Sequence, residues 1–341
     1  MKVIAITKYG PAEKAFEILE RGIPQPGLND VVVKVDAFGL NYADVMARLG
    51  MYADAPPIPS VIGYEVVGRV ESTGTEIHDL QKGQRVLAFT RFGGYAEYAI
   101  TDRRAVVPVP EDMSNGVAAA LATQYCTAYY AACEMVNLYP GDHVLVQAAA
   151  GGVGTAIVQL AKLKSCIVYG TAGSDGKLEY LRKNGVDYPI NYRKQDFYEE
   201  IMRIRGEDKL DVVFDSLGGK THKRARKLLA HGGRIVGYGI AERSNFKGHL
   251  PANLRLAWNF GFMHPIGLLM NSRGIIGINM LRIADFRPHI IERCLNNLLK
   301  LAANGDIVPH VGGVFNSSQI AQAHNFLESR QSVGKVIVEW K

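Results

Sequence analysis

The sequence predicts an α/β fold in which a doubly wound parallel-sheet domain is inserted into a β-rich domain. The first ~120 residues carry short β-branched runs separated by turn residues, with no long helical pattern. From Val117 onward, strand patterns alternate with helical patterns, which is typical of βαβ units. The chain ends in another strand pattern, Val333–Glu339. We therefore expect a β-rich domain from residues 1–123 and 282–341, and an inserted domain from residues 124–281.

The individual elements follow from periodicity and turn residues. The clearest strands of the first part are Val31–Val35, Glu65–Val70 and Gln84–Phe89. The inserted part has apolar strands of the kind that are buried on both faces, and these are Val144–Gln147, Cys166–Gly170, Asp211–Asp215, Arg234–Tyr238, Gly274–Ile278 and the shorter Tyr188–Ile190. The predicted helices are Thr155–Lys164, Lys177–Asn184, Phe197–Ile204, Lys220–Ala230 and Pro288–Ala303.

Composition excludes several classes of protein. Hydrophobic residues make up 48% of the chain and charged residues 21%, which is too apolar for a disordered protein. The net charge of +6 is spread along the chain, which fits an anionic ligand and not a nucleic-acid-binding tail. Four cysteines without a C-x-x-C pair, and no apolar run of the ~18 residues that a membrane span needs, predict a cytoplasmic protein.

The strongest motif is Ala148-Ala149-Ala150-Gly151-Gly152-Val153-Gly154, between a predicted strand and an amphipathic helix. It is a G-x-G-x-x-G loop whose first glycine is replaced. Gly151 permits close approach of a pyrophosphate, Gly154 permits close packing of helix on strand, and the helix N-terminus offers N–H groups to phosphate. We expect a dinucleotide site that includes Ala150, Gly151, Gly152, Val153 and Gly154.

The residues after the second strand of the inserted domain, Cys166–Gly170, indicate whether the cofactor is NAD or NADP. An acidic residue there would bind the ribose 2′-hydroxyl of NAD, but the strand tip carries none. Ser174 and Lys177 can instead donate to a 2′-phosphate, which favours NADPH. The alternative is that Lys177 is a solvated helix residue and Asp175 an N-cap.

Four motifs in order resemble one protein family, and they are Gly39–Tyr52, Gln124–Tyr129, Ala148–Gly154 and Val333–Val336. The chain resembles the zinc-independent quinone oxidoreductase branch of the medium-chain dehydrogenase/reductase superfamily, and most closely its vesicle amine transport protein homologues. The resemblance implies a Rossmann domain inserted in a GroES-like domain. It places Lys177 and Tyr192 at the 2′-phosphate, and Asn41, Thr127 and Gly239 along the nicotinamide half. Lys335 is also expected to contact the cofactor.

The resemblance also bears on the metal and the reaction. The catalytic zinc ligands of related enzymes fall on Asn41, Tyr64 and Thr123, which are not usual zinc ligands, so we expect no metal. Hydride transfer without zinc suits a small, apolar quinone or α,β-unsaturated carbonyl, stabilised by side-chain donors. The candidates are Tyr64, Tyr52 and Asn41, each with a purely structural alternative. Glu65 can support the site or form a structural ion pair.

Three further features remain open. The aromatic and Met-rich segment from Leu254 to Met270 is expected to cover the nicotinamide end, or else to lie on a membrane surface. The basic run from His222 to Lys227 is expected to be a solvated helix face, not a nucleic-acid site. The apolar strand Gly274–Ile278 predicts an edge paired in a homodimer, unless the preceding segment covers it. The alternative function is an NADPH-binding, lipid-handling or membrane-associated protein with little turnover.

Overall fold

The computed structural model describes residues 1–242, 250–262 and 264–340, and the side chains of residues 250–253 lie outside that description. The strands are β1 (Lys2–Ile6), β2 (Phe16–Glu20), β3 (Asp30–Leu40), β4 (Glu65–Thr73), β5 (Arg85–Phe89), β6 (Tyr98–Asp102), β7 (Val106–Pro108), β8 (His143–Val146), β9 (Ile167–Ala172), β10 (Tyr188–Asn191), β11 (Leu210–Asp215), β12 (Leu229–Gly237), β13 (Gly274–Gly277), β14 (Val311–Asn316) and β15 (Lys335–Glu339).

Most helices follow the strands of the second half of the chain. They are α1 (Ala12–Ala15), α2 (Tyr42–Arg48), α3 (Asn115–Ala120), α4 (Cys126–Tyr129), α5 (Gly152–Leu163), α6 (Asp175–Lys183), α7 (Phe197–Arg205), α8 (Gly219–Ala225), α9 (Leu250–Phe260), α10 (Pro265–Met270), α11 (Met280–Phe286), α12 (Pro288–Ala303) and α13 (Ile320–Glu328). Two π-helical stretches, Leu121–Tyr125 and Tyr130–Glu134, flank α4. Within the described ranges, no helix is both long and apolar enough to span a membrane.

The chain divides into two compact units. The β-rich unit combines Met1–Cys126 with Met280–Lys341, and the parallel-sheet unit is Thr127–Asn279. These boundaries lie within a few residues of the expected ones. The predicted fold class, an inserted doubly wound domain within a β-rich domain, is confirmed.

The main sheet of the β-rich unit has the order β14-β15-β3-β4-β5-β7, with β6 also paired to β3. Strands β15 and β4 are the antiparallel neighbours of β3. Their registers place Val336 opposite Leu40 and Val66 opposite Phe38, and these side chains belong to one buried cluster. The start of β15, the end of β3 and the start of β4 therefore meet at one end of the sheet.

The sheet of the parallel-sheet unit has the order β10-β9-β8-β11-β12-β13, and every pairing is parallel. In chain order this is 3-2-1-4-5-6, the arrangement of a Rossmann domain, whose ligands bind beyond the carboxyl ends of the strands. Strand β13 lies at the sheet edge, as predicted. The prediction of a helix over Lys220–Ala230 is too long, because α8 ends at Ala225 and Leu229 already begins β12.

Candidate functional site

The glycine-rich loop lies at the carboxyl end of β8, in the centre of the parallel sheet. Ala148, at the position of the replaced glycine, has φ of 51°, the left-handed region that residues with a Cβ rarely adopt. Thr171, at the end of β9, supports this turn: its hydroxyl accepts from Ala148 N at 3.1 Å and its carbonyl accepts from Ala149 N at 2.9 Å. The same hydroxyl donates to Gln147 Oε1 at 2.7 Å. The turn is thus held by the hydroxyl and the carbonyl of Thr171, and the Gln147 side chain fixes that hydroxyl.

The two glycines of the loop have different surroundings. A Cβ at Gly154 would lie 2.5 Å from Ala148 O and 2.7 Å from Ala149 Cα, so the close packing of α5 on the strand requires glycine. A Cβ at Gly151 would lie 3.3 Å from Ala148 O, and Gly151 is exposed. Gly151 is the N-cap of α5 and no side chain caps the helix. The first N–H groups of α5 are therefore available to an anion, and the loop fits a pyrophosphate.

Several other residues expected on the cofactor side lie in the parallel-sheet unit at varied depth. Ala150 is buried, and Gly152 and Val153 are half-buried in the first turn of α5. Thr127 is buried in α4. A Cβ at Gly239 would lie 2.7 Å from Ser216 O, so the chain after β12 passes close to the chain after β11.

A group of donors surrounds the end of β9 and the start of α6. Ser174 is the N-cap of α6, with no hydrogen bond from its side chain to the helix, so the N-cap is Ser174 and not Asp175. The Tyr192 hydroxyl lies beside Gly173, since a Cβ there would be 2.5 Å from it. Burial, and secondly the Arg193 guanidinium, lower the pKa of Lys177. Two cations placed near each other favour a dianion such as a 2′-phosphate.

The neighbouring carboxylate does not oppose such an anion. Asp175 accepts from Asn191 Nδ2 at 2.8 Å and from Lys194 Nζ at 2.5 Å. These bonds, the one from Lys194 first, lower the pKa of Asp175. The acid of this turn is thus already paired with a cation. Arg193 was not predicted, because nothing in the sequence shows that β10 brings it beside Lys177.

In the β-rich unit, the buried carboxylate of Glu65 contacts several of the residues that the sequence predicts for the site. The Asn41 Nδ2 donates to both oxygens of Glu65, at 2.9 and 2.8 Å. The Thr123 hydroxyl donates to Oε2 of Glu65, and Lys335 forms an ion pair with Oε1. Both Glu65 and Lys335 are 0% exposed, so Glu65 takes part in a fully buried ion pair.

Asp44 lies on α2 beside this group. Asn41 is the N-cap of α2, and its backbone N–H donates to Asp44 Oδ2 at 2.7 Å in a capping box. Burial, and secondly the charge of Glu65, raise the pKa of Asp44 well above its usual value. Burial and the neighbouring carboxylate thus both disfavour the charged form of Asp44.

The three predicted donors are Tyr64, Tyr52 and Asn41, and they differ in the contacts that their side chains make with the rest of the protein. Asn41 is buried and its amide is committed to Glu65. Tyr64 is 3% exposed and packs against Phe92, with ring centroids 5.5 Å apart, and edge-on against Tyr52. Its hydroxyl has no hydrogen bond of normal length within the described residues. Besides burial, the nearby Tyr52 hydroxyl raises the pKa of Tyr64, but no described residue accepts from the Tyr64 hydroxyl at normal hydrogen-bond distance.

The three positions at which the resemblance places the zinc ligands of related enzymes, Asn41, Tyr64 and Thr123, offer an amide, a phenol and a hydroxyl. Two of these side chains bind the Glu65 carboxylate. In the described part of the chain, no three His, Cys, Asp or Glu side chains are close enough to hold a metal ion. The donor set therefore does not fit a zinc ion.

The basic run from His222 to Lys227 differs at His222 from the solvated helix face that the sequence predicts. His222 is buried on α8 and its Nδ1 is 2.8 Å from Asp215 Oδ2, so this residue does not belong to a solvated face. The segment from Leu254 to Met270 forms α9 and α10, apart from Met263, which lies outside the described residues. Trp258 is 83% exposed and Phe262 90%. Cys126 is a buried core residue.

A Rossmann sheet with a phosphate-binding loop, inserted into a β-rich unit, defines a dinucleotide-dependent dehydrogenase or reductase. The sequence matches the family described as zinc-binding dehydrogenase over residues 152–296, and the alcohol dehydrogenase GroES-like domain over residues 27–111. The human synaptic vesicle membrane protein VAT-1 homolog is 34% identical, and the match covers 99% of this chain and 86% of that protein.

Two other relatives extend the comparison. The bovine quinone oxidoreductase-like protein 2 is 32% identical, over 95% of this chain and 89% of that protein. The crystal structure of Escherichia coli quinone oxidoreductase complexed with NADPH has a TM-score of 0.85 and 27% identity, over 99% of this chain and all of that one. The chain belongs to the medium-chain dehydrogenase/reductase superfamily, a family of oxidoreductases, with VAT-1 homologues and quinone oxidoreductase-like proteins among its relatives.

Proposed function

We propose that this protein is a zinc-independent, NADPH-dependent oxidoreductase that transfers hydride to a quinone or an α,β-unsaturated carbonyl, and that it acts in the cytoplasm. The observation that carries the proposal is the Tyr64 hydroxyl, a buried donor that makes no hydrogen bond of normal length to the described residues. A buried donor left unsatisfied costs about 1–3 kcal/mol, so it is retained where a ligand supplies the acceptor. A carbonyl or quinone oxygen is such an acceptor.

The cofactor part of the proposal rests on the parallel-sheet unit. The loop at Gly151 and the N-terminus of α5 fit a pyrophosphate. Ser174, Lys177, Tyr192 and Arg193 surround the place where a 2′-phosphate would distinguish NADPH from NADH. The related Escherichia coli enzyme was crystallised with NADPH, which supports the same choice here. When bound, this cofactor supplies the hydride.

The protein's part in the reaction is to stabilise the negative charge that develops on the substrate oxygen. Burial raises the pKa of Tyr64, and it raises the pKa of Tyr52 to about 12, so both phenols remain protonated at neutral pH. Tyr64 can then donate a hydrogen bond that strengthens as charge accumulates. Phe92 and Tyr52 give the surroundings an aromatic character that suits a flat, apolar acceptor.

Replacing Tyr64 with Phe tests the proposal. We expect kcat with quinones or enones to fall by about 10²-fold, as when one oxyanion donor is removed. The melting temperature should stay the same or rise, because the variant removes an unsatisfied buried hydroxyl. The matched control is Tyr169→Phe, since Tyr169 is also buried but its hydroxyl lies 3.1 Å from His143 Nδ1. It should lower stability and leave kcat nearly unchanged. Unchanged kcat in Tyr64→Phe would contradict the assigned role.

A second function is favoured by the surface of α9 and α10. Trp258 and Phe262 are almost fully exposed, and the Lys223 side chain lies beside Gly261, 3.1 Å from where a Cβ would be. Aromatic side chains next to lysines are typical of surfaces that bind anionic lipids. The alternative is therefore an NADPH-binding protein that associates with lipid and turns over slowly. Background turnover with every acceptor, together with cosedimentation with phosphatidylserine vesicles, would favour it.

A further inference from the structure

The buried ion pair of Glu65 and Lys335 uses the whole hydrogen-bonding capacity of the lysine. Lys335 Nζ donates to Leu40 O and to Asn41 Oδ1, both at 3.3 Å, and to Glu65 Oε1. An ammonium group has three N–H donors, so none remains for another ligand. All of these acceptors belong to the β-rich unit. Lys335 therefore has no donor left for the cofactor contact that the sequence suggested.

The pair is accommodated only because β3 has a glycine beside it. A Cβ at Gly39 would overlap the Glu65 carboxylate and would lie 2.6 Å from Lys335 Nζ. Burying two charges is no more stabilising than packing apolar side chains of similar volume. A pair that needs both desolvation and a glycine in a central strand is therefore poorly explained by stability alone.

The groups held by the pair are those at the centre of the candidate site. Asn41 is bound at both ends of its amide, with Nδ2 on Glu65 and Oδ1 facing Lys335. Thr123 donates to the same carboxylate. Tyr64 directly precedes Glu65 in the chain, so anchoring the Glu65 side chain fixes the backbone from which Tyr64 projects.

We propose that Glu65 and Lys335 form a positioning pair, which orients the Asn41 amide and the Tyr64 segment for hydride transfer and does not itself bind the cofactor. This inference rests on the proposed function. It means that the pair affects the rate of hydride transfer and does not affect the affinity for the cofactor.

The test compares Lys335→Met, Glu65→Gln and the double variant. Each single change leaves one buried charge without its partner, so both should lower the melting temperature, and the neutral double variant should recover most of that loss. We expect kcat to remain about 10–100-fold below the parent in the double variant, as when groups that orient a site are removed. The dissociation constant of NADPH should stay within about 3-fold of the parent, because no phosphate contact is lost.

The matched control is a second ion pair in the same unit, between Arg48 and Glu328. The guanidinium group of Arg48 is also buried. The double variant Arg48→Met, Glu328→Gln should change the melting temperature while kcat stays within about 3-fold. Recovery of kcat together with stability in the Glu65 and Lys335 double variant would show a structural pair and overturn the proposal. A rise of 10-fold or more in the NADPH dissociation constant of Lys335→Met would overturn it in favour of cofactor binding.

The emission of bound NADPH decides the case if the parent protein reduces no acceptor. The absence of turnover would refute the proposed function, but it would not test whether the pair orients the Asn41 amide and the Tyr64 segment. Nicotinamide fluorescence reports the surroundings of the ring and needs no turnover. A changed emission in the double variant with unchanged NADPH affinity would support the positioning role. Unchanged emission would overturn it.

Discussion

Gly154 and Gly151 of the phosphate loop are expected to have different roles, the first in helix packing and the second in the approach of the cofactor. Replacing each with alanine should therefore lower the melting temperature in one case and the NADPH affinity in the other. At Gly154 the new Cβ would lie 2.5 Å from Ala148 O and 2.7 Å from Ala149 Cα, and both are backbone atoms that cannot rotate away. Because both contacts are with backbone atoms, the overpacking cost lies at the upper end of the usual range, about 3 kcal/mol, of which the better helix propensity of alanine returns up to about 1. The net loss of about 2–3 kcal/mol should lower the melting temperature by about 4–12 °C for a unit of this size.

Gly151→Ala should behave in the opposite way. Its Cβ would meet Ala148 O at 3.3 Å, which small shifts relieve, so we expect a stability change below about 1 kcal/mol. The methyl group would stand on the exposed face that a pyrophosphate must approach, and the NADPH dissociation constant should rise at least about 10-fold, or 1.4 kcal/mol.

Thermal unfolding without cofactor and NADPH titration by nicotinamide fluorescence measure the two effects. Gly22→Ala is the control, because a Cβ there has no atom within 4 Å, and it should change neither quantity. Parent-like NADPH affinity in Gly151→Ala, or a parent-like melting temperature in Gly154→Ala, would refute the assignment of roles to the two glycines.

Three other predictions concern the cofactor, the metal and the assembly. Lys177→Ala should raise the dissociation constant of NADPH about 10-fold or more and leave that of NADH unchanged, since a charge-assisted phosphate contact is worth about 1.5–3 kcal/mol; equal affinity of the parent for both cofactors would contradict this. Elemental analysis should find far less than one zinc per chain, and chelators should leave activity intact, whereas zinc lost together with activity would refute metal independence. Light scattering should give a homodimer paired along β13, which Ile276→Pro should dissociate into folded monomers; a parent mass of 37.4 kDa would refute the dimer.

The phosphate loop was predictable because its information is local. A strand, a turn of small residues and a helix follow one another within about a dozen residues, and each glycine has a physical reason to be there. The same holds for the order of the parallel strands, since right-handed βαβ connections leave few alternatives. What the pattern did not show is how Ala148 could replace a glycine, which depends on Thr171 from the next strand.

The buried charges were less predictable because their partners are distant in the chain. Glu65 and Lys335 are 270 positions apart and meet only through the registers of β15, β3 and β4. His222 lies in a run of basic residues that reads as a solvated face, and only the fold brings Asp215 beneath it. A 3-10 turn extends the helical conformation to Leu228, and Leu229 suits a helix as well as a strand, which is why the helix before β12 was predicted too long.

The insertion of one unit into the other has a consequence for synthesis on the ribosome. The parallel-sheet unit is one continuous segment and is complete before β15 has been translated, so it can fold first. Strand β3 cannot pair with its antiparallel neighbour β15 until β15 has been translated. Until then the Glu65 carboxylate also lacks the Lys335 ammonium as its ion-pair partner. During that interval an apolar strand edge is open to other nascent chains. Strand β15, which is translated after the parallel-sheet unit, thus closes the β-rich unit.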